Sequence, residues 1–273
     1  MAATDSSDGL PTPIKAVIFD MDGLLLDSEV TFIHSSNQRN LAPYNKQLTW
    51  EIKAMLMGRP SEESAKILIE RTGIPLSPNE LLSMFATRQR TLFATVQPMP
   101  GAVKLINIFT SARFQWPSIA TGSNSTNYKL KSENLSELFS AFEGKVVCGD
   151  DEELKRGKPH PDPFLLAASR HLGMKLEKCD PATGFLEPPS SSTGQTEEGL
   201  ESTLRADQIL VFEDGLAGVQ AAKAAGMKVV WVPDPELKNL LNRQNNQQSD
   251  IVADQVLESL LQWNGADWNL PPF

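Results

Sequence analysis

The first apolar run of the chain, Ala-Val-Ile-Phe at 16–19, is short, partly β-branched and followed by two aspartates. This pattern predicts a buried strand that ends in a turn. Beyond residue 98, similar runs alternate with segments of helix length. Strands that alternate with helices in this way indicate an α/β fold with a doubly wound parallel sheet, covered by helices on both faces. We predict strands at 118–120, 145–148, 208–212 and 228–232, and helices at 102–111, 129–139, 162–172 and 216–225.

Between residues 30 and 97 the pattern becomes helical, without a convincing strand. Ser77 and Glu80 have the spacing of a capping box around a proline, which predicts the start of a helix. Ser61 is followed by two acids, which the dipole of a helix start favours. We therefore predict a small helical domain at 30–97, inserted into a core domain made of 14–29 and 98–273.

Two segments lack either pattern. Residues 1–13 carry polar and turn-forming residues with almost no apolar content, so we predict a flexible leader there. Residues 180–204 are rich in proline, serine, threonine and glycine, which predicts an exposed, flexible insertion in the core domain.

Composition narrows the function. The chain has 273 residues, 40% of them hydrophobic, and a formal net charge of -9, which is typical of a globular protein without a broad basic surface. We therefore expect no nucleic-acid partner. The sequence has neither a long apolar run nor a signal-peptide pattern, so we expect no membrane attachment and a location in the cytoplasm or also in the nucleus. Nothing in it indicates an extensive apolar interface, so we expect a monomer. Two cysteines cannot form a disulfide framework, and three scattered histidines do not indicate a zinc or iron site.

Polar side chains follow the predicted strands at the end where parallel sheets bind ligands. Because a hard cation such as Mg²⁺ prefers oxygen ligands, the carboxylates among them indicate a magnesium site. The hydroxyl, amide and ammonium groups are suitable donors to a phosphate. Together these groups indicate phosphoryl transfer. They are Asp20 and Asp22 after the first strand, Thr121, Gly122 and Ser123 after the second, Lys158 ahead of a helix, and Glu213 and Asp214 after the strand at 208–212.

Two carboxylates two residues apart suit a two-step reaction. One can attack phosphorus and form an aspartyl phosphate. The other can give a proton to the leaving oxygen and later take one from water. Alternation along an extended strand points the side chains of Asp20 and Asp22 to the same side, as these roles require.

These motifs resemble, in order, the four motifs of the haloacid dehalogenase superfamily. They are Phe-Asp-Met-Asp-Gly-Leu-Leu-Leu-Asp-Ser-Glu at 19–29, Ala-Thr-Gly-Ser at 120–123, Gly-Lys-Pro-His-Pro-Asp at 157–162 and Phe-Glu-Asp-Gly at 212–215. The resemblance implies a Rossmann-like core and makes the helical domain at 30–97 a cap, as in the phosphatase and phosphomutase branch. Within that branch, the first motif and Val-Val-Trp-Val-Pro-Asp-Pro at 229–235 are similar to the pseudouridine-5'-phosphatase and glycerol-3-phosphate phosphatase type.

The resemblance also implies roles for single residues. Asp20 matches the nucleophile and a magnesium ligand, and Asp22 matches the general acid and base, with its main-chain oxygen also near the metal. Asp214 matches the remaining acidic ligand. Thr121 and Lys158 match the pair that orients the phosphate, and Glu213 matches a direct or indirect helper of the metal.

Two positions stand apart from this scheme. Gly215 departs from the family, which often has serine or asparagine there. Arg59, beside a glycine at the edge of the predicted cap, is a further candidate contact to the substrate.

We therefore expect a Mg²⁺-dependent phosphatase that hydrolyses a small phosphomonoester, such as a nucleotide-like, sugar or polyol phosphate, through an aspartyl phosphate. Two alternatives stay open. The same motifs serve a phosphomutase of the β-phosphoglucomutase type, which release of inorganic phosphate would distinguish. A non-catalytic phosphate-binding relative would hydrolyse no member of a broad panel of phosphomonoesters.

Overall fold

A computed structural model of the chain describes residues 12–28, 41–111, 117–176, 186, 204–244 and 253–270. Within these residues, six parallel strands form one sheet in the order β3-β2-β1-β4-β5-β6. The predicted α/β fold with a doubly wound parallel sheet is therefore confirmed. The strands are β1 (Ala16–Phe19), β2 (Ser118–Ala120), β3 (Val146–Val147), β4 (Ile209–Glu213), β5 (Lys228–Trp231) and β6 (Gln255–Val256).

The α-helices of the described residues all lie between the first and the last of these strands in the sequence. In the segment between β1 and β2 they are α1 (Trp50–Leu56), α2 (Ser61–Thr72), α3 (Pro78–Phe93) and α4 (Ala102–Ser111). After β2 they are α5 (Ser125–Ser132), α6 (Ser136–Phe139), α7 (Asp162–Leu172), α8 (Leu216–Ala224) and α9 (Pro235–Gln244).

Alternate residues of β1 face opposite sides of the sheet, and each side buries its own apolar cluster. Ala16 and Ile18 pack with the side chains of α7 and α8. Val17 and Phe19 pack with α4 and with residues near the C-terminus, among them Trp263. The ring of Phe19 stacks on Phe212 of β4, with ring centroids 4.9 Å apart. A strand buried on both faces needs a continuous apolar run, which is what the sequence has at this position.

The helices α1, α2 and α3 form a third apolar cluster, separate from the two clusters on the sheet. The predicted capping box is present at the start of α3. The Glu80 N–H donates to Ser77 Oγ at 3.3 Å, and the Ser77 N–H donates to Glu80 Oε2 at 2.8 Å. This local signal therefore fixed the helix start from sequence alone.

The chain enters and leaves this helical segment through two linkers that lie side by side. Leu26 and Pro98 form an antiparallel bridge. The Asp27 N–H donates to Gln97 O, and the Met99 N–H donates to Leu25 O, each at 2.9 Å. The domain boundaries at 29/30 and 97/98 stay a prediction.

The structure corrects the predicted helix at 129–139. Its first part begins earlier, at Ser125, because the Asn124 side chain accepts the Asn127 N–H at 2.8 Å and caps the helix. The helix ends at Ser132 and a short second one begins at Ser136, because Leu135 leaves the helical region with φ -122° and ψ 44°.

Other elements differ less. The strand predicted at 145–148 is limited to Val146–Val147, so Cys148 lies beyond it and is half-buried. The strand and helix ends predicted at 208–212, 216–225 and 228–232 are shifted by one residue, and α9 and β6 were not predicted. Residues 1–11 of the predicted leader, and 180–185 and 187–203 of the predicted insertion, lie outside the described residues.

No helix in the part of the chain described by the structure is long and apolar enough to cross a membrane. The monomeric state and the location in the cytoplasm or nucleus stay predictions.

Candidate active site

The carboxyl ends of the central strands bring the predicted acidic residues together. Phe19 of β1 is in register with Phe212 of β4, and the Asp20 N–H donates to Phe212 O at 3.0 Å. Asp20 therefore lies level with the end of β4, where Glu213 and Asp214 follow. Carboxylate oxygens of Asp20, Glu213 and Asp214 lie within 4.8 Å of one another, and all three residues are buried.

These three carboxylates fit a divalent metal ion. Hard oxygen donors converging in a buried place are the ligand type that Mg²⁺ binds. Lys158 is a cation in contact with the cluster: its Nζ lies 2.5 Å from Asp20 Oδ1 and 2.6 Å from Glu213 Oε1. One ammonium group leaves an excess of negative charge among three carboxylates, which a bound cation would offset.

Burial and charge act on the ionisation of this cluster in opposite directions. Burial raises the pKa of Asp20 above its usual value, the neighbouring carboxylates of Glu213 and Asp22 add to this, and Lys158 only partly opposes it. For Lys158, burial alone would lower the pKa, but Asp20 and Glu213 outweigh it, so the pKa is raised. Lys158 is therefore held as a cation beside the acids.

Glu213 is held by close packing against α8. The Gly215 N–H donates to Glu213 Oε2 at 3.0 Å. A Cβ atom at Gly218 would lie 1.7 Å from Glu213 Oε1, so only glycine leaves room for the carboxylate there. The main chain at Asp214 is fixed as well, since Trp231 Nε1 donates to the Asp214 main-chain oxygen at 2.8 Å.

Gly215, the position at which the sequence departs from the family pattern, faces the helical segment. A Cβ atom there would lie 3.3 Å from the Cβ of Met57, which is tighter than ordinary contact. The small residue therefore lets the loop that follows α1 approach the end of β4.

Asp22 occupies a different environment from the acidic cluster. Its Oδ1 accepts hydrogen bonds from Ser28 Oγ at 2.6 Å and Lys131 Nζ at 2.5 Å, and its Oδ2 accepts one from Ser123 Oγ at 2.7 Å. Burial alone would raise the pKa of Asp22, but Lys131 and the two hydroxyl groups outweigh it and lower the pKa. The Asp22 carboxylate thus stays apart from the group that fits a metal.

The loop after β2 is built against both the core and the helical segment. Thr121 is buried, and its Oγ1 accepts the Ser123 N–H at 3.0 Å. A Cβ atom at Gly122 would lie 2.7 Å from Gly58 O, so the absence of a side chain permits this approach. Three of the predicted phosphate-binding residues, Thr121, Gly122 and Ser123, are thus in one loop, directly beneath the loop that follows α1.

A cavity of about 400 Å³ lies between this loop and the helical segment. Asp20, Asp22 and Arg59 line it together with Thr121, Gly122 and Ser123, whereas Lys158, Glu213 and Asp214 do not. Arg59 lines the cavity, and its guanidinium also pairs with Glu63 on α2. Its contact with substrate stays a prediction. The opposite wall is mainly apolar and includes Leu56, Met57, Leu68, Leu82, Phe85 and Phe93.

Among the polar residues of the cavity that were not predicted as functional, three are buried: Ser28, Lys53 and Lys131. Ser28 belongs to the first motif, although the motif alone does not show what its side chain contacts. Lys131 had a detectable signal, because Asn124, Asn127 and Lys131 follow a spacing of three and four residues and line the cavity from one side of α5. Lys53, on α1, is buried and lies 4.4 Å from the ring centroid of Trp50.

A comparison with known families matches residues 14–226 to the haloacid dehalogenase-like hydrolase model. The chain belongs to the haloacid dehalogenase-like hydrolase family. This confirms the resemblance drawn from the four motifs, and the match covers β1 through α8 of this hydrolase.

Named relatives of this hydrolase agree with the branch that the sequence indicated. It is 40% identical over 262 residues to (DL)-glycerol-3-phosphatase 2 of Arabidopsis thaliana, covering 95% of this chain and 93% of the relative. It is 35% identical over 256 residues to a Drosophila melanogaster protein named probable pseudouridine-5'-phosphatase, covering 94% of each.

The fold is shared with solved structures at lower identity. CbbY from Rhodobacter sphaeroides, crystallised in complex with phosphate, superimposes with a TM-score of 0.62 at 20% identity, covering 91% of this chain and 96% of that one.

Proposed function

We propose that this hydrolase is a Mg²⁺-dependent phosphatase that cleaves a small phosphomonoester through an aspartyl phosphate on Asp20. The observation that carries the proposal is the position of Asp20. Its buried carboxylate faces the cavity, is paired with Lys158, and lies beside two further carboxylates that could hold a cation.

The chain is a phosphoric monoester hydrolase, which is the enzyme class that the sequence predicted. The names of its relatives support small phosphate esters as substrates, such as glycerol 3-phosphate and pseudouridine 5'-phosphate. The cavity of about 400 Å³ agrees with a small molecule.

Asp20, Glu213 and Asp214 would hold the magnesium ion, with the main-chain oxygen of Asp22 as a further candidate. When bound, the ion would neutralise negative charge on the phosphate and on these carboxylates. Lys158 adds a fixed positive charge at Asp20, which favours the ionised form that a nucleophile requires.

In the first step, an Asp20 oxygen forms a bond to phosphorus while the ester bond to the leaving oxygen breaks. Because its pKa is lowered in the free enzyme, Asp22 must take up a proton as the anionic substrate binds beside it; it then gives that proton to the leaving oxygen, so an alcohol departs rather than an alkoxide. In the second step, Asp22 takes a proton from water as the water oxygen attacks phosphorus. The bond between Asp20 and phosphorus then breaks, and inorganic phosphate and free Asp20 result.

The phosphate would lie over the loop after β2. Thr121 and Ser123 offer hydroxyl groups there, and the Gly122 N–H offers an amide. Arg59 on the opposite side would contact the substrate from the helical segment. We propose that this segment, residues 30–97, acts as a cap over the site.

The test follows inorganic phosphate release from a panel of phosphomonoesters with Mg²⁺ present. The panel includes glycerol 3-phosphate, pseudouridine 5'-phosphate, 2-deoxyglucose 6-phosphate and β-glucose 1-phosphate. Asp20→Asn should abolish release from every ester, whereas Asp27→Asn, which changes an exposed carboxylate in the same motif, should leave it unchanged.

Retained hydrolysis in Asp20→Asn would refute the nucleophile. Conversion of a sugar phosphate without release of inorganic phosphate would show a phosphomutase instead. A wild-type protein that converts none of the esters would refute the enzyme proposal as a whole.

A further inference from the structure

Lys131 is a buried lysine that none of the family motifs includes. It lies on α5, ten residues beyond Thr121, and only 4% of it is exposed. Its Nζ lies 2.5 Å from Asp22 Oδ1 and 2.9 Å from Ser123 Oγ. An ammonium group loses much of its hydration when it is buried, so it is stable there only among such partners.

The contacts of Lys131 converge on the residue that would move the proton. Asp22 Oδ1 accepts hydrogen bonds from Lys131 Nζ and Ser28 Oγ, and Asp22 Oδ2 accepts one from Ser123 Oγ. These donors come from three different segments of the chain, so both oxygens of the carboxylate are fixed from several directions. Lys131 also donates to Ser123, which links two of the donors to each other.

The helical segment closes the remaining side of this ammonium group. Lys131 Nζ lies 4.2 Å from the ring centroid of Phe93, a distance at which an aromatic face stabilises a cation. Phe93 is the last residue of α3 and lies four residues before Gln97, which belongs to the second linker. Ser28 directly follows Asp27 of the first linker. The contacts of Lys131 and Asp22 therefore reach both connections to the helical segment.

We infer that Lys131 is a positioning residue for Asp22 in the proposed phosphatase reaction. It holds the Asp22 carboxylate in the orientation from which a proton reaches the leaving oxygen, and it does not itself contact the reacting atoms. This inference rests on the proposed function. Among the described residues, loss of Lys131 leaves Ser28 as the donor to Asp22 Oδ1, and Ser123 loses a donor, so the carboxylate can rotate away.

If Lys131 positions Asp22, its loss affects esters with different leaving groups unequally. If it only attracts the substrate phosphate by charge, its loss affects them equally. Protonation of the leaving oxygen matters greatly for an alkyl ester and little for 4-nitrophenyl phosphate, whose leaving group departs readily as an anion. The value of kcat/KM reports the steps up to release of the alcohol. The ratio of kcat/KM for an alkyl ester to that for 4-nitrophenyl phosphate therefore isolates proton donation by Asp22.

The experiment compares Lys131→Met with wild type on 4-nitrophenyl phosphate and on the alkyl ester of the panel that wild type cleaves fastest. We expect the kcat/KM ratio to fall by about tenfold or more, since small displacements of a catalytic group cost up to about 100-fold. Lys131→Arg should restore part of the ratio, because the guanidinium can still donate to Asp22. Lys129→Met removes the same charge from an exposed position on α5 and should leave the ratio unchanged.

A double variant tests whether Lys131 acts through Asp22. In an Asp22→Asn background the ratio is already low, and adding Lys131→Met should not lower it further. An equal loss on both esters, with the ratio unchanged, would overturn the assignment and leave Lys131 a structural or phosphate-attracting residue. A further fall in the double variant would overturn it too. Wild-type enzyme that cleaves neither ester refutes the proposed function itself, and the assignment with it, so the two failures are distinguishable.

Discussion

Gly218→Ala offers a sharp test of how the acidic cluster is held. The new Cβ atom would lie 1.7 Å from Glu213 Oε1 and 1.9 Å from Glu213 Cδ, so the carboxylate must move away. Lys158 would then lose one of its two carboxylate partners, in a place where both side chains are almost fully buried. The substitution therefore acts on the site although residue 218 carries no functional side chain.

The size of the effect can be worked from these contacts. Breaking a buried ion pair costs about 3–5 kcal/mol, and exchanging glycine for alanine in a helix returns at most about 1 kcal/mol, so we expect a net loss of about 2–4 kcal/mol. Without Glu213 beside Lys158 and the proposed metal ligands Asp20 and Asp214, we also expect kcat/KM to fall by about 100-fold. Urea unfolding measures the first effect, and phosphate release measures the second.

Two controls separate the clash from other effects of alanine. Gly173→Ala meets no atom within 4 Å, but φ is +76°, so it should cost roughly 1–2 kcal/mol of stability and leave activity unchanged. In a Glu213→Ala background the clash is gone, and Gly218→Ala should become neutral or slightly stabilising. A Gly218→Ala enzyme with the stability and activity of wild type would refute the reasoning.

Two further predictions concern the metal site and the pH dependence of stability. Mg²⁺ at about 100 times its dissociation constant should raise the free energy of unfolding by about 2.7 kcal/mol, and Asp214→Asn should remove most of this gain in urea titrations; an equal gain in the variant would contradict the site. Burial alone would raise the pKa of Asp254, but Lys223, the Val229 N–H and Lys228 outweigh it and lower the pKa. Because the pKa is lowered on folding, this stability is present above the ordinary carboxylate pKa of about 4 and is lost as the pH falls through the lowered value. The free energy of unfolding, measured in urea at several pH values, should therefore fall less steeply with acidification in Asp254→Asn than in wild type. The same slope in both proteins would contradict this.

The strand ends could be read from the sequence because a parallel sheet imposes a simple rule. A buried apolar run ends where the next polar residue reaches the edge of the sheet, so Asp20 and Asp214 were identifiable as neighbours in space although far apart in the chain. The capping box of α3 was equally readable, because all its contacts lie within four residues.

What the sequence did not reveal depends on packing between distant segments. The contact of Lys131 with Asp22 joins residues 109 positions apart and depends on which side of α5 faces the cavity. The break of the predicted helix at 129–139 is a second case. Leu135 carries no helix-breaking side chain, so local propensity predicts continuation where the tertiary structure ends the helix.

The paired linkers at Leu26 and Pro98 have a consequence for how such enzymes diversify. The chain leaves the sheet and returns to it through two linkers that are hydrogen-bonded to each other. The sheet therefore does not depend on the length or content of the helical segment between these linkers. Mutations in the intervening helices can reshape the apolar wall of the cavity while Asp20, the proposed nucleophile on the other side, stays in place. Substrate preference can therefore drift in this enzyme without a change in its chemistry, and exchange of the whole segment between relatives is a practical way to move that preference.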